Sequence, residues 1–363
     1  MPPLRTLAST AVVLCLAVAG GAVAELLGMP LPWLLGGLLT VGAAAILGLK
    51  VAGGPLTFPM WLRMGCIPVI GVLIGGAVGP ETLVSVPQWW PSLAMLLVFV
   101  PVAFVINYAI FRRVGRYDRP TAYWCSAPGG LIESVEAGSA AGGDARLLTV
   151  QHFSRIAVTV TVVPLLFTWL TGQAVGSAAG ARIEGAPLGW EDAVMLALAA
   201  LVGGLSGRML NFPAGIITGP IIVSGILHAT GITHAQPPDL VVKAAQVVIG
   251  ASLGIRFAGL ERRQIVRGLW LAALSVAAIL ALGTALALAV SGMTGQATQL
   301  IVLAYAPGGI VEMGLIALSL GASPVVVTLH HILRILLAVW LGALAWRRLD
   351  RGRAEAAPAK ETP

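Results

Sequence analysis

The sequence predicts an all-α polytopic integral membrane protein built from two inverted repeats. Each repeat holds about five transmembrane helices plus one re-entrant or broken helix interrupted by Pro-Gly-Gly. Three observations carry this: an extreme composition, apolar runs of helix length from end to end, and an internal duplication in constant register. Of the 363 residues, 58% are hydrophobic and only 10% are charged, and the mean hydropathy is +0.92. A soluble domain carries about a quarter charged residues, so most of this chain belongs in hydrocarbon. The runs are continuous and do not alternate as barrel strands do. The 45 glycines and 23 prolines suit membrane helices, where both are enriched.

The net charge of +7 would suggest nucleic acid for a soluble protein. Here the basic residues fall mainly in short loops beside apolar segments, the positive-inside pattern, so no direct nucleic-acid contact is expected. Cys15, Cys66 and Cys125 lie in apolar segments without CxxC or metal spacing and read as packing residues. The five histidines show no HxxH or HExxH arrangement, so no metal and no cofactor is expected. Neither a nucleophile elbow nor a phosphate-binding loop appears, and the chain does not read as an enzyme.

The duplication orders the elements. Ala127-Pro128-Gly129-Gly130 matches Ala306-Pro307-Gly308-Gly309 at an offset of 179. At that offset Glu133 meets Glu312, Gly142 meets Gly321, Thr149 meets Thr328, His152 meets His331 and Arg155 meets Arg334. The GxxxG of Gly71 and Gly75 meets Gly250 and Gly254, read as a helix-packing motif. Near the start, Gly20-Gly21 and Pro30 match Gly203-Gly204 and Pro213 at an offset of 183. Arg5, the apolar stretch 11–19 and the small residues 22–24 resemble a signal peptide, but this match makes the first segment part of the repeat and thus a retained helix.

Six apolar segments follow in each half, near 7–27, 31–49, 61–79, 91–111, 121–141 and 147–171, then 190–207, 213–231, 240–258, 268–291, 298–320 and 324–346. The expected organisation is a first membrane repeat at 1–172, a connecting loop at 173–189, a second repeat at 190–346 and a basic, disordered cytoplasmic tail at 347–363. Trp33, Trp61, Trp89, Trp90, Trp190 and Trp346 lie near segment ends, as interfacial anchors do.

Charge sets the topology. If segments 121–141 and 298–320 dip in and return, then Arg5, Lys50, Arg63, the arginines of 112–119, Arg146, Arg208, Arg262, Arg263, Arg267 and the tail arginines share one side, with Arg182 opposite. Five crossings per half then make the repeats antiparallel and leave both termini in the cytoplasm. Inverted repeats with interrupted helices near the midplane are a transporter architecture. A broken helix that crosses fully would leave a similar sequence.

The candidate site is a paired constellation. Pro128, Gly129 and Gly130, and Pro307, Gly308 and Gly309, break their helices, because proline lacks a donor and glycine is conformationally costly there. Glu133 and Glu312 fall in the first turn of the helix that resumes, where free N–H groups favour an anion. The next helix carries His152 and Arg155, or His331 and Arg334, three residues apart on one face. Arg334 lies thirteen residues before Arg347, about 20 Å of helix, and should face the interior and pair with Glu133 or Glu312. The rival reading is a structural lock between hairpin and helix.

At these residues the chain resembles the AbrB-duplication membrane proteins: Ala-Pro-Gly-Gly-(Leu/Ile)-x-Glu and His-x-x-Arg each occur twice. The resemblance covers about 7–346. It implies little firm biochemistry, since members carry labels as different as ammonia monooxygenase, regulator of gene expression and uncharacterised membrane protein. One departure is Gln151 before the first His, where the second copy has His330-His331. The expected function is a secondary transporter of a small molecule or ion, coupled to protons or sodium; the alternative is a membrane-embedded regulator of gene expression without transport. Its setting would be a bacterial cell membrane, crossed many times. Expected partners are the lipid bilayer and an unidentified small molecule or ion, with a homo-oligomer admitted.

Overall fold

The computed structural model describes residues 4–172, 175 and 188–356. The first half runs through α1 (Leu4–Leu26), α2 (Pro32–Ile46), a two-residue hairpin of β1 (Lys50–Val51) and β2 (Gly54–Pro55), α3 (Met60–Gly75), α4 (Pro80–Ser85), α5 (Trp90–Ala109), α6 (Arg119–Cys125), α7 (Leu131–Ala140) and α8 (Ala145–Thr171). The second half holds α9 (Trp190–Met209), α10 (Gly215–Ala229), α11 (Asp239–Gly254), α12 (Arg262–Thr294), α13 (Thr298–Tyr305), α14 (Ile310–Ser319) and α15 (Pro324–Ala356). Leaving out the strands and α4, the two halves repeat the same order of seven helices. Among the described residues seven helical stretches are long and apolar enough to span a bilayer. The protein is therefore a multi-pass helical membrane protein.

Several boundaries differ from the sequence expectation. Segments 31–49, 61–79 and 213–231 form helices of only 15, 16 and 15 residues, short of the roughly 20 that cross hydrocarbon. They stop early because the chain turns at Gly48 and Gly231, both at positive φ, and again at Gly76 and Ala77. α15 continues to Ala356, so the first ten residues of the tail expected to be disordered are helical. The connecting loop 173–189, Arg182 included, lies almost wholly outside the described residues. Trp61, Trp90 and Trp190 are exposed, as anchors should be, whereas Trp89 is buried.

Small residues decide how the halves join. α1 and α2 pack as a pair, as do α9 and α10, and both second helices start from a left-handed residue after a proline: Leu31 (φ 44°) and Ala214 (φ 51°). The GxxxG motifs then reach across. A Cβ added at Gly71 would lie 2.8 Å from the Ile217 carbonyl, and one at Gly75 would lie 2.6 Å from the Ile221 carbonyl, both on α10. In the mirror contact, a Cβ at Gly254 would lie 2.7 Å from the Leu38 carbonyl on α2. Only glycine permits backbones so close. Thus α3 packs on α10 and α11 packs on α2, each helix finding its complement in the other half.

The outer faces are apolar as well. Val194, Leu198, Leu201 and Leu205 of α9 are exposed, a surface that suits lipid and would be an aggregation liability in water. Ion pairs are few and lie at the periphery: Lys243 with Glu25 and Asp239, each at 3.2 Å, and Arg146 with Glu261 at 3.8 Å.

Candidate functional site

Both Pro-Gly-Gly segments interrupt helix, between α6 and α7 and between α13 and α14. An interrupted helix leaves the last carbonyls of its first part without intrahelical donors, at the negative end of the dipole. Each of the two deep arginines caps such an end. Arg155, buried on α8, donates from Nη1 to the Ala127 carbonyl. Arg334, buried on α15, donates from Nη1 to the Ala306 carbonyl and from Nη2 to the Gly308 carbonyl at 2.9 Å, with the Tyr305 carbonyl at 3.4 Å. The sequence spacing between Arg155 and Ala127 equals that between Arg334 and Ala306, 28 residues in both.

This corrects the expected pairing of Arg334 with a glutamate. Among the described residues neither arginine forms an ion pair. The physical reason is that stranded carbonyls at the break compete directly for the guanidinium fork, and the two glutamates sit one turn further on. Glu312 is buried at the start of α14, with its carboxylate folded back over Gly309 and its own N–H. Glu133, the same residue of the motif, is exposed on α7.

The two breaks differ in other ways. Pro128, Gly129 and Gly130 are all buried, whereas Gly308 and Gly309 are half-buried beside a buried Pro307. Gly130 is left-handed (φ 69°), a conformation that favours glycine, while Gly309 is extended (φ −87°). The first break lies against the helix that carries Arg334: a Cβ at Gly129 would come within 3.1 Å of the Ile335 Cα. Arg334 in turn lies within electrostatic reach of Arg155. The arginine helices and the first break therefore converge in the interior. Thr121, at the start of α6, accepts a hydrogen bond from the Asp144 N–H just after α7, at 2.8 Å, so the two ends of the first interrupted segment meet.

Each histidine of the motif turns one ring nitrogen to a backbone carbonyl and leaves the other bare. His152 Nε2 faces the Trp124 carbonyl at 3.1 Å, which requires a proton on that nitrogen, and leaves Nδ1 buried without a partner. His331 Nδ1 faces the Val327 carbonyl at 2.9 Å and leaves Nε2 buried without a partner. Arg155 Nε, Arg334 Nε and the hydroxyls of Ser154, Thr159 and Thr328 are likewise buried and unpartnered among the described residues. So many bare polar atoms on α8 and α15 call for water or a ligand. A separate groove of about 620 Å³ lies beside α3, α9 and α11, lined by residues such as Pro68, Leu196 and Leu201. It is apolar and touches none of the candidate residues.

Other polar residues join the site, among them the Gln151 and His330 at which the two copies differ. His330 Nε2 lies 2.9 Å from the Ser92 hydroxyl, and the Tyr305 hydroxyl donates to the Ser92 carbonyl at 2.8 Å. Gln151, which replaces the equivalent histidine, accepts from the Tyr117 hydroxyl at 3.2 Å. Asn107 donates to the Ser126 carbonyl at the first break, at 3.2 Å, and accepts from Ser275 at 2.7 Å. An asparagine inside an apolar run is itself a signal; Ser92 offered none. His228 is structural, facing the Ser224 and Ala235 carbonyls.

Comparison with known proteins places relatives along most of the chain. The chain is 26% identical over 352 residues to "Uncharacterized protein YhjN" of Bacillus subtilis 168, covering 90% of each chain. It is 23% identical over 301 residues to "Putative regulator AbrB" of Escherichia coli K12, covering 81% of this chain and 86% of that one. Residues 41–350 match the family described as transition state regulatory protein AbrB. That match spans both Pro-Gly-Gly segments and both His-x-x-Arg helices, and the chain belongs to the AbrB family.

Proposed function

We propose that this protein is a secondary transporter of a small molecule or ion, with its site between the two broken helices. The observation that carries the reading is the set of unpartnered polar atoms at membrane depth. The arginines spend their Nη groups on the carbonyls of the breaks, and beside them His152 Nδ1, His331 Nε2 and both arginine Nε groups remain free of protein partners. A purely structural lock would satisfy its own polar groups, because each one left bare is costly. Bare groups of both kinds, acceptors and donors, suit a path that carries a hydrated or polar cargo.

We further propose that the halves are inverted and that the interrupted segments enter and leave by one face. The Thr121–Asp144 hydrogen bond supports this for the first segment, and the one-sided distribution of arginine supports it for the whole chain. The setting is then a cell membrane with both termini on the cytoplasmic side.

Purified protein in sealed vesicles, screened for uptake of radiolabelled small metabolites and ions, tests the reading. For any cargo found, His331→Gln and Arg334→Gln variants that insert and fold normally should lose most of the uptake. Full uptake by both would sink the assignment of the site. The names of family members carry a second reading, a membrane-embedded regulator. A soluble protein retained in equal amount through detergent purification, with no cargo found, would favour it.

A further inference from the structure

Arg63 and Arg256 differ from the other cations whose partners the structure shows, whether buried, as Arg155 and Arg334 are, or at the surface. Arg155, Arg334, Arg267 and Arg112 donate to carbonyls, and Lys243 and Arg146 meet carboxylates. Arg63, in the first turn of α3, has no hydrogen bond and no ion pair among the described residues, and its Nε is shut off from solvent without a partner. Arg256, in the short turn that ends α11, reaches only the Met60 sulfur at 3.5 Å, a weak acceptor. Its Nε is buried and bare too, and its guanidinium lies 4.7 Å above the Phe153 ring. Both side chains are half-buried.

The two guanidinium groups lie within electrostatic reach of one another, and the acid in reach of Arg63 is Glu312, which makes no ion pair with it. Arg256 rests on Met60, one helical turn before Arg63, so two cations, partly out of water, share one carboxylate that pairs closely with neither, and the net positive charge favours something negative joining them. The duplication makes the point sharper. At the offset of 179 Arg63 corresponds to Val242, and Arg256 to Ala77, so this pair has no counterpart in the other half. It sits where the start of α3, the end of α11 and Phe153 of α8 come together.

We propose that Arg63 and Arg256 form a binding site for a small oxyanion, a carboxylate or a phosphate, where the start of α3 meets the end of α11. Two guanidinium forks fit the paired oxygens of such groups. The Phe153 face and the Met60 thioether supply an apolar wall for an organic anion's carbon skeleton. The ion's use as cargo or as a brake on Glu312 rests on the transport reading; its binding does not.

The test is binding by the full chain in nanodiscs of uncharged phosphatidylcholine, read as thermal stabilisation by phosphate, acetate, succinate and citrate against chloride at equal ionic strength. At least one oxyanion should raise the melting temperature of the wild type. Arg63→Gln and Arg256→Gln should each weaken that response about tenfold or more in concentration, with Arg63→Lys intermediate and Arg146→Gln unchanged. Melting of each variant without added anion identifies any that fails to fold, and Arg63→Lys then carries the comparison. The proposal is overturned if no oxyanion outdoes chloride, or if the response survives both glutamine variants. It is also overturned if only phosphatidylglycerol in the bilayer stabilises the protein, which would give the pair to a lipid headgroup. Binding without uptake would leave this site standing and remove only the transport reading.

Discussion

Replacing Arg334 by methionine, similar in length but without donors, isolates the clamp on the second break. In the folded protein Arg334 holds the carbonyls of Ala306 and Gly308, while the Tyr305 carbonyl at 3.4 Å is too distant to add much. Stranding two buried acceptors costs about 1–3 kcal/mol each, so about 2–6 kcal/mol in all. Removing a buried charge returns part of its desolvation cost, which brings the expected net loss to about 2–4 kcal/mol. Arg155→Met strands one carbonyl, that of Ala127, and should cost about 1–3 kcal/mol. Arg334→Lys keeps the charge but loses the fork and should fall between the wild type and Arg334→Met. The assay is the folded fraction of purified protein across a denaturing detergent titration in mixed micelles. Wild-type stability in Arg334→Met, or a larger loss in Arg155→Met than in Arg334→Met, would refute the idea that these arginines act by holding broken-helix carbonyls.

Other predictions follow from the same contacts. Gly254→Ala should destabilise by about 1–3 kcal/mol, because its Cβ would meet the Leu38 carbonyl at 2.7 Å, whereas Gly37→Ala, whose nearest contact is 3.4 Å, should be tolerated in the same titration. Glu133→Gln should leave uptake of any identified cargo intact and Glu312→Gln should impair it, since one carboxylate is exposed and the other buried; equal effects would show the two motifs to be equivalent. Single cysteines at Arg113 and at Arg146, in a chain otherwise free of cysteine, should label from the same side of intact cells with an impermeant maleimide, and labelling from opposite sides would mean that the first interrupted segment crosses. Lys243→Met should change stability by no more than about 1 kcal/mol, since its pairs with Glu25 and Asp239 lie at the surface.

Much of the fold was legible in the sequence because the duplication repeats the residues that shape backbone. Gly71, Gly75, Gly250 and Gly254 announced close helix contact, and the Pro-Gly-Gly triplets announced broken helices. What the sequence hid was the partner of each motif. Nothing in a string of residues says that GxxxG will pack on the other half rather than its own. Nor does it say that Arg334 will choose a carbonyl over a carboxylate, because the stranded acceptors exist only once the helix has broken. The inequality of Glu133 and Glu312 was partly legible and passed over: 131–140 carries Glu133, Ser134, Glu136 and Ser139, while 310–319 is apolar but for Glu312 and Ser319. The first face is too polar to bury; the second has little reason to stay out. Arg63 read only as one more basic residue of the charged side, and nothing joined it to Arg256, because the two lie far apart in the chain and neither has a counterpart at the repeat offset.

The exchange of complementary surfaces between halves, α3 on α10 and α11 on α2, bears on how the chain is made. Each half lacks part of its packing on its own, because the notch cut by each pair of glycines is filled only by the other half. The first repeat must therefore wait in the bilayer, with its notched α3 facing lipid, until α10 has been synthesised and inserted. A nascent chain arrested between the repeats would present an open glycine groove to the membrane's proteases. The same logic runs backwards in ancestry: before duplication, two copies of one shorter chain could have met through these very surfaces, and fusion turned an encounter between molecules into one that a single ribosome guarantees.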